Sequence, residues 1–207
     1  MNDVPLADQP AKRRADAERN RAAILEAAGV VFAELGGTVD VREIARRSGV
    51  GMGTLYRHFP AKDDLLVHVL EEQFTAWLTA AHERASVTED PWQALAGFFE
   101  QMLTTQARNR ALVESYATTG GPTRSCAERC ASFIDDLRTR CLDAGLLRPG
   151  VTTADLVLLS ASLSQAVQLA GDCHPGRWRR LLRVSLDGLR SHNTEPLPPA
   201  EASGAAG

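Results

Sequence analysis

The sequence predicts an all-α protein of about nine helices. Apolar residues recur at spacings of three and four along most of the chain, which is the period of a helix with one buried face. No run of alternating β-branched residues stands out, and aromatic residues make up only 5% of the 207 positions. With 44% hydrophobic and 24% charged residues, a chain of this length can bury a substantial core.

Composition and charge narrow the class of protein. No uninterrupted apolar run of about 18 residues occurs, so we expect no membrane span. The first twenty residues are polar and hold no apolar signal core, so we expect a cytoplasmic location. The net charge of -3 conceals two basic stretches, 12–21 and 38–62, each with five basic and two acidic residues. A basic head on a mildly acidic body suits contact with nucleic acid.

The first helix follows a charged N-terminal stretch. We interpret residues 1–18 as a flexible arm and place the start of the helix at Arg19. Its apolar positions run from Ile24 to Leu35 on one face. A pair of glycines then ends it, because glycine accepts the left-handed conformation after a helix.

Two short helices and a long one are predicted next. Asp40 and Glu43 form a capping-box pattern at the start of the second helix. Pro60 ends the third helix, because the residue before proline is disfavoured in the helical conformation. The predicted ranges are 41–47, 52–59 and a fourth helix from Ala61.

Five further helices follow. An Asp-Pro pair at 90–91 and a capping pattern of Thr152 with Asp155 open two of them. The tail over 193–207 is rich in proline, alanine and glycine, and we expect it to be disordered. The predicted helices are 92–107, a shorter one to about Thr118, 123–144, 154–170 and one from His174-Pro175 to Arg190.

The segment 41–59 carries the pattern of a helix-turn-helix. Two helices that cross over a tight turn need a small residue at the crossing and an unhindered residue in the turn, which Ala45 and Gly49 supply. A helical hairpin that only packs in a core could carry the same pattern by coincidence. The inward-facing apolar set is Ile44, Val50, Leu55 and Phe59.

The second helix of this pair exposes side chains that suit DNA. Threonine, tyrosine, arginine and histidine can donate to phosphates, and arginine can also bind guanine. Gly51 and Gly53 would let the backbone approach another surface closely. A solvated face without a partner has the same composition. The exposed residues are Met52, Gly53, Thr54, Tyr56, Arg57 and His58.

The stretch FAELGGTVDVREIARRSGVGMGTLYRHFPAKDDLL resembles the N-terminal domain of the tetracycline-repressor (TetR/AcrR) family. Its most characteristic part is GTLYRHFPAKDDLL, and the resemblance covers about residues 19–68. It implies a helix-turn-helix DNA-binding domain at 19–64, followed by a helical ligand-binding and dimerisation domain at 65–192.

The resemblance also implies a function and roles for single residues. The protein would be a dimeric repressor that a small molecule releases from a palindromic operator in double-stranded DNA, with no enzymatic activity, cofactor or metal. Thr38, Tyr56 and Lys62 would contact phosphates, and Arg42 would reach the backbone or a base. Glycine at two of the first three positions of the recognition helix departs from many relatives, so base reading would rest on few side chains and on DNA shape. The residues facing the major groove would be Met52, Gly53, Thr54, Arg57 and His58.

The helices after the fourth are expected to enclose the effector, which the sequence does not identify. A pocket needs apolar walls and a few polar groups, and a plain core is the alternative for each wall residue. A regulator controlled by a partner protein or by cysteine oxidation is the alternative to a ligand-released repressor. The candidate lining residues are Phe74, Trp77, Phe99, Met102, Tyr116, Phe133 and Leu137.

The last two helices are expected to form the dimer interface. Together they would pack as four helices across a twofold axis. Burial within one chain is the alternative. The candidate interface residues are Leu156, Leu159, Leu163, Val167, Trp178, Leu182, Leu186 and Leu189.

The four cysteines are interpreted as structural. In a cytoplasmic protein they would stay reduced. Cys126 and Cys130 are four residues apart on one helix, which gives poor disulfide geometry and too few ligands for zinc. The other two are Cys141 and Cys173.

Overall fold

A computed structural model describes residues 9–108, 123–170 and 176–199 of the chain. These residues contain eight helices and no strand, which confirms the all-α prediction. None of these helices combines the length and the apolar character that crossing a membrane requires. The predicted helix that ends near Thr118 lies outside the described residues. The helices are α1 (Gln9–Leu35), α2 (Val41–Ser48), α3 (Met52–His58), α4 (Lys62–Val87), α5 (Pro91–Arg108), α6 (Arg124–Asp143), α7 (Thr153–Ala170) and α8 (Arg177–Gly188).

Helix α1 begins ten residues before the predicted start. The sequence prediction treated 1–18 as a flexible arm, but residues 9–18 are helical. Alanine and long charged side chains dominate this stretch, and both have high helix propensity. Arg19 also pairs with Asp16 one turn earlier, which supports an exposed helix. The predicted start of this helix at Arg19 is therefore wrong.

The turn between α2 and α3 depends on Gly49. Its φ of 69° lies in the left-handed region, where a Cβ atom meets the following carbonyl oxygen. At the other end of α2, the Asp40 side chain accepts a hydrogen bond from the Arg42 amide at 2.8 Å. Helix α2 begins at the predicted residue and ends at Ser48, one residue after the predicted range of 41–47.

The described residues divide into two compact units, with the division between Gln73 and Phe74 inside α4. In the first unit α1 contacts α2 and α3, and α2 contacts α3. The predicted inward set agrees with the structure, although Val50 is only half-buried. The core of the first unit includes Ile24, Ala28, Val31, Phe32, Ile44, Ala45, Leu55, Phe59, Leu65 and Val69.

The division lies nine residues after the predicted domain boundary of 64/65. Val69 and Leu70 are buried in the core of the first unit, so the first two turns of α4 pack with the helix-turn-helix. The apolar stripe of α4 has no break between its two parts. For that reason the spacing of apolar residues gave no signal for this division.

In the second unit α5 contacts α6, α7 and α8, and α6 and α8 each contact α7. The centre of its core is aromatic: the Phe98 ring lies 5.8 Å from that of Phe99 and 5.3 Å from that of Phe133. The Arg140 guanidinium donates to the carbonyls of Ala85 and Thr88 at 3.0 and 3.1 Å. This contact fixes the end of α4 against α6.

The residues predicted for the dimer interface lie in the core of their own chain. Six of the eight are buried, and the other two pack against the same core. The six buried residues fit the alternative of burial within one chain, and an interface through the half-buried Leu159 and Leu189 stays a prediction. Helices α7 and α8 also carry apolar residues on a second, outer face. The outer face exposes 69% of Leu158, 86% of Leu169, 45% of Leu181 and 62% of Val184. The residues that lie in the core are Leu156, Leu159, Leu163, Val167, Trp178, Leu182, Leu186 and Leu189.

Replacing Gly49 with alanine is expected to lower the free energy of unfolding by about 1–2 kcal/mol, because the added Cβ is strained at positive φ. Urea unfolding followed by circular dichroism measures this change. Gly53→Ala is the matched control: Gly53 has no positive φ and no protein atom within 4 Å of an added Cβ. A Gly49→Ala variant as stable as this control would contradict the role given to the turn.

Candidate nucleic-acid interface

Helix α3 has one anchored side and one outward side. Leu55 and Phe59 are each 1% exposed and fix the helix to the core of the first unit. The amides of Thr54 and Leu55 donate to the Gly51 carbonyl at 2.9 and 3.0 Å, which starts the helix without a side-chain cap. Of the other side chains of this short helix, those of Tyr56 and Arg57 are exposed.

None of the nine residues predicted to contact DNA is buried, and all nine lie in the first unit. Five of them are exposed and four are half-buried. Met52 is half-buried because it packs against the core. The exposed residues are Thr38, Arg42, Gly53, Tyr56 and Arg57, and the half-buried residues are Met52, Thr54, His58 and Lys62.

Two glycines leave the start of α3 bare. A Cβ atom added at Gly51 or Gly53 would meet no protein atom within 4 Å. The packing of the chain therefore does not require glycine at either position. A missing side chain at an exposed helix start lets another surface come close to the backbone, as the sequence predicts.

Lys62 is the first residue of α4, where the amides of a helix favour an anion. Asp63 and Asp64 follow it in the first turn, and the Asp64 carboxylate accepts the Ala61 amide at 3.2 Å. These carboxylates partly neutralise the positive end of the helix dipole. The ammonium of Lys62 is therefore the main group here that can attract a phosphate.

The end of α3 is held by contacts around the Phe59 ring. The His68 ring of α4 meets it edge-on at 5.4 Å, and the Arg21 guanidinium of α1 lies 5.3 Å from its centre. Arg21 also lies 3.9 Å from Glu72. Arg21 was not predicted from the sequence, because a pair of residues far apart in the chain leaves no local signal.

The end of α2 carries an ion network that the sequence analysis also missed. The Glu43 carboxylate accepts hydrogen bonds from Arg46 at 2.7 and 2.8 Å and from Arg47 at 2.8 Å. Arg47 donates in turn to Glu34 of α1 at 2.6 Å. These bonds lower the pKa of Glu43 to about 2. Charges spaced three and four residues apart are the local signal that would have indicated it.

Other cations of the first unit have weaker ion pairs with carboxylates or none among the described residues. The Arg42 side chain is 83% exposed and lies 3.9 Å from Asp40. Within the described ranges, Arg57 and Lys62 form no ion pair. Arg42 lies at the start of α2, Arg57 in α3 and Lys62 at the start of α4.

The residues predicted to line an effector pocket lie in or against the core of the second unit. Phe99, Met102, Phe133 and Leu137 are buried, and Phe74 and Trp77 pack against the core. Tyr116 lies outside the described residues. Phe98, which the sequence analysis did not name, joins this cluster through ring contacts with Trp77 and Phe133 at 5.6 and 5.3 Å.

A small cleft lies beside Phe133 of this aromatic cluster, and the second unit also holds two unpaired polar atoms. The cleft has a volume of about 210 Å³, and the His82 ring stacks there on Phe133 at 3.8 Å. In the part of the chain that the structure describes, Trp77 Nε1 and Gln106 Oε1 are buried without a hydrogen-bond partner. The cleft is lined by Leu78, Thr79, His82, Arg129, Ser132 and Phe133.

Two of the described cysteines, Cys130 and Cys141, are poor nucleophiles. Burial raises the pKa of Cys141 to about 11, and its thiol donates to the Pro91 carbonyl at 3.2 Å. Burial and the neighbouring Cys126 raise the pKa of Cys130 to about 11. A raised pKa keeps a thiol protonated and slow to oxidise. Cys173 lies outside the described residues.

Comparisons with known proteins agree with this arrangement. Residues 24–69 match the family model described as bacterial regulatory proteins of the tetR family, and residues 90–191 match the C-terminal domain of SbtR-like transcriptional regulators. An HTH-type transcriptional regulator of Staphylococcus aureus is 31% identical over 102 residues, which are 49% of this chain and 55% of that protein. The chain thus spans about half the length of the curated relatives that it matches.

Solved structures extend the likeness to most of the chain. A TetR transcription regulatory protein from Mycobacterium vanbaalenii is 34% identical, with 86% of this chain and 98% of that chain covered and a TM-score of 0.59. A TetR-family regulator from Pectobacterium atrosepticum shares the fold at 22% identity, with coverages of 86% and 97% and a TM-score of 0.75. Together with the helix-turn-helix described above, these matches show that the chain belongs to the TetR family of bacterial transcriptional regulators.

Proposed function

We propose that the protein is a dimeric repressor in the cytoplasm that a small molecule releases from a palindromic operator. The observation that carries the proposal is the outward side of α3, which is bare at its start and flanked by the cations Arg42, Arg57 and Lys62. Selection of bound duplexes from a random DNA pool tests it. A recovered palindrome with half-sites about one helical turn apart supports a dimeric reader, and recovery of no motif opposes it.

The proposed contacts divide into two groups. Thr38, Tyr56 and Lys62 would hold phosphates, which fixes the position of the head on the duplex. Met52, Gly53, Thr54, Arg57 and His58 would face the major groove, and Arg42 would reach the backbone or a base. Thr54 and Arg57 are the main candidates for direct base reading, because Gly51 and Gly53 bring no side chain to the groove.

We propose that the outer face of α7 and α8 forms the dimer interface. Four large apolar side chains on this face are 45–86% exposed, and burial of apolar area contributes about 25 cal/mol per Å². The exposed Ser162 hydroxyl donates to the Leu158 carbonyl of its own helix at 2.9 Å, so this face needs few polar partners. A second copy would cover the same face by a twofold axis. The four residues are Leu158, Leu169, Leu181 and Val184.

The effector would bind within the aromatic part of the second unit. An unpaired buried polar group costs about 1–3 kcal/mol, and Trp77 Nε1 and Gln106 Oε1 are such a donor and acceptor. A compound with an apolar body, one acceptor and one donor would satisfy both. To reverse a 99:1 preference for the DNA-binding arrangement, it would need about 5.5 kcal/mol of differential affinity.

Replacing Lys62 with alanine is expected to weaken binding to all DNA sequences alike, since phosphates carry no sequence information. The slope of log affinity against log salt should fall by about 0.9 per bound head. Lys62→Arg is the control that keeps the charge and should keep the slope. Fluorescence anisotropy at several salt concentrations measures both, and an unchanged slope in Lys62→Ala opposes the phosphate contact.

Replacing Thr54 with valine or Arg57 with alanine is expected to change the preferred sequence. Each base contact should be worth about 1–3 kcal/mol of discrimination against the wrong base. Duplex selection with each variant measures the preference, and Arg84→Ala in the second unit is the control. If both variants recover the wild-type sequence, the base reading lies elsewhere.

Replacing both Leu158 and Val184 with glutamate is expected to break the dimer, because like charges would meet across the twofold axis. Analytical ultracentrifugation measures the oligomeric state. Val87→Glu is the control, since Val87 is 79% exposed but lies on α4. A double variant that sediments as the wild-type dimer would place the interface on another face.

A further inference from the structure

The Glu43 side chain pairs with arginines of α2 and does not cap the helix. A capping box would direct this carboxylate to the amide of Asp40. Instead it forms two hydrogen bonds with Arg46 and one with Arg47. The exposed α2 helix thus holds a carboxylate among its cations, on the part of the chain that is proposed to meet DNA.

The two arginines of this network are placed differently. Arg47 is 28% exposed, and its bonds to Glu43 and to Glu34 fix α2 to α1. Arg46 is 69% exposed and, among the residues that the structure describes, pairs with Glu43 alone. It follows Arg42 by four residues, so the two lie one turn apart on the same face of α2. Arg46 is therefore next to a proposed DNA contact, with its charge compensated.

We propose that Glu43 determines specificity by withholding Arg46 from the DNA backbone. A two-point hydrogen bond to a carboxylate is the geometry in which arginine also binds a phosphate, so Glu43 and DNA compete for the same donors. Every duplex offers phosphates of the same kind, so a free Arg46 would strengthen binding to all sequences. Holding Arg46 back lowers this general attraction and leaves a larger share of the affinity to the base contacts of α3.

The low pKa of Glu43 is consistent with this competition. With a pKa of about 2, the carboxylate stays ionised throughout the pH range in which duplex DNA is stable. Arg46 therefore meets a charged competitor in every binding experiment near neutral pH. A purely structural role for Glu43 predicts the opposite effect on DNA, because a weakened α2 would bind every duplex less tightly.

The test compares Glu43→Gln, Arg46→Ala and the double variant on two labelled probes, a mixed-sequence duplex and the duplex recovered by selection. Glu43→Gln keeps the shape and removes the charge. Its salt slope on the mixed-sequence probe should steepen by about 0.9 per bound subunit, so the gain in affinity should grow about 3.5-fold per bound subunit between 200 and 50 mM salt. Arg46→Ala should leave the slope unchanged when Glu43 is present. In the Glu43→Gln background it should remove the added slope.

Two outcomes overturn the inference: an unchanged slope in Glu43→Gln, or the same loss of slope from Arg46→Ala in both backgrounds. Glu34→Gln is the matched control, because it breaks a bond of Arg47 but leaves Arg46 paired. If Glu43→Gln does not fold, a loss of about 0.9 in the slope of Arg46→Ala alone is sufficient to overturn the inference.

The inference rests on the proposed DNA surface, and Lys62→Ala in the same series separates the two. A Lys62 effect without a Glu43 effect overturns only the competition for Arg46. If the slope changes in neither variant, the proposed DNA surface and the inference both fail.

Discussion

The anchoring of α3 is the constraint on which the helix-turn-helix of the first unit depends. A helix of seven residues is not stable in water by itself, because the cost of nucleation exceeds what so few hydrogen bonds return. Its helical state therefore comes from the burial of Leu55 and Phe59 and from the turn at Gly49. Contacts of the Phe59 ring with Arg21 and His68 bring α1 and α4 to the same anchor. Because the inward residues carry the stability, the outward ones are free to be chosen for DNA.

The parts of the fold that could be predicted from the sequence are those that depend on local features of the chain. The helix-turn-helix was predictable because each of its requirements is local: a cap at Asp40, a small residue at Ala45 and a left-handed turn at Gly49. The start of α1 was predicted too late because residues 9–18 have no apolar stripe, and their helicity rests on propensity and on the pairing of Arg19 with Asp16. The domain boundary was placed too early because the stripe of α4 continues without a break.

The inner and outer faces of α7 and α8 could not be separated by pattern. Leu156 is fully buried, while Leu158 two residues later is 69% exposed, although both are leucine. The hydrophobic effect does not distinguish a core within one chain from an interface between two chains. Only the packing of α7 against α5, α6 and α8 shows which face is already covered. The ion network around Glu43 was also not predicted. The spacing of Glu43, Arg46 and Arg47 is visible in the sequence, but the bond of Arg47 to Glu34 joins two helices and leaves no local pattern.

The bare start of α3 has a consequence for how such a regulator can change. At Gly51 and Gly53 a new side chain would meet no atom of the protein, and neither glycine is held at positive φ. At Gly53, inside the helix, most residues would favour the helical conformation more than glycine does. A duplicated copy of the gene could therefore acquire a new operator by single substitutions at these positions without first losing its fold. On the proposed DNA surface, the start of α3 can therefore accept new side chains that the fold itself does not oppose.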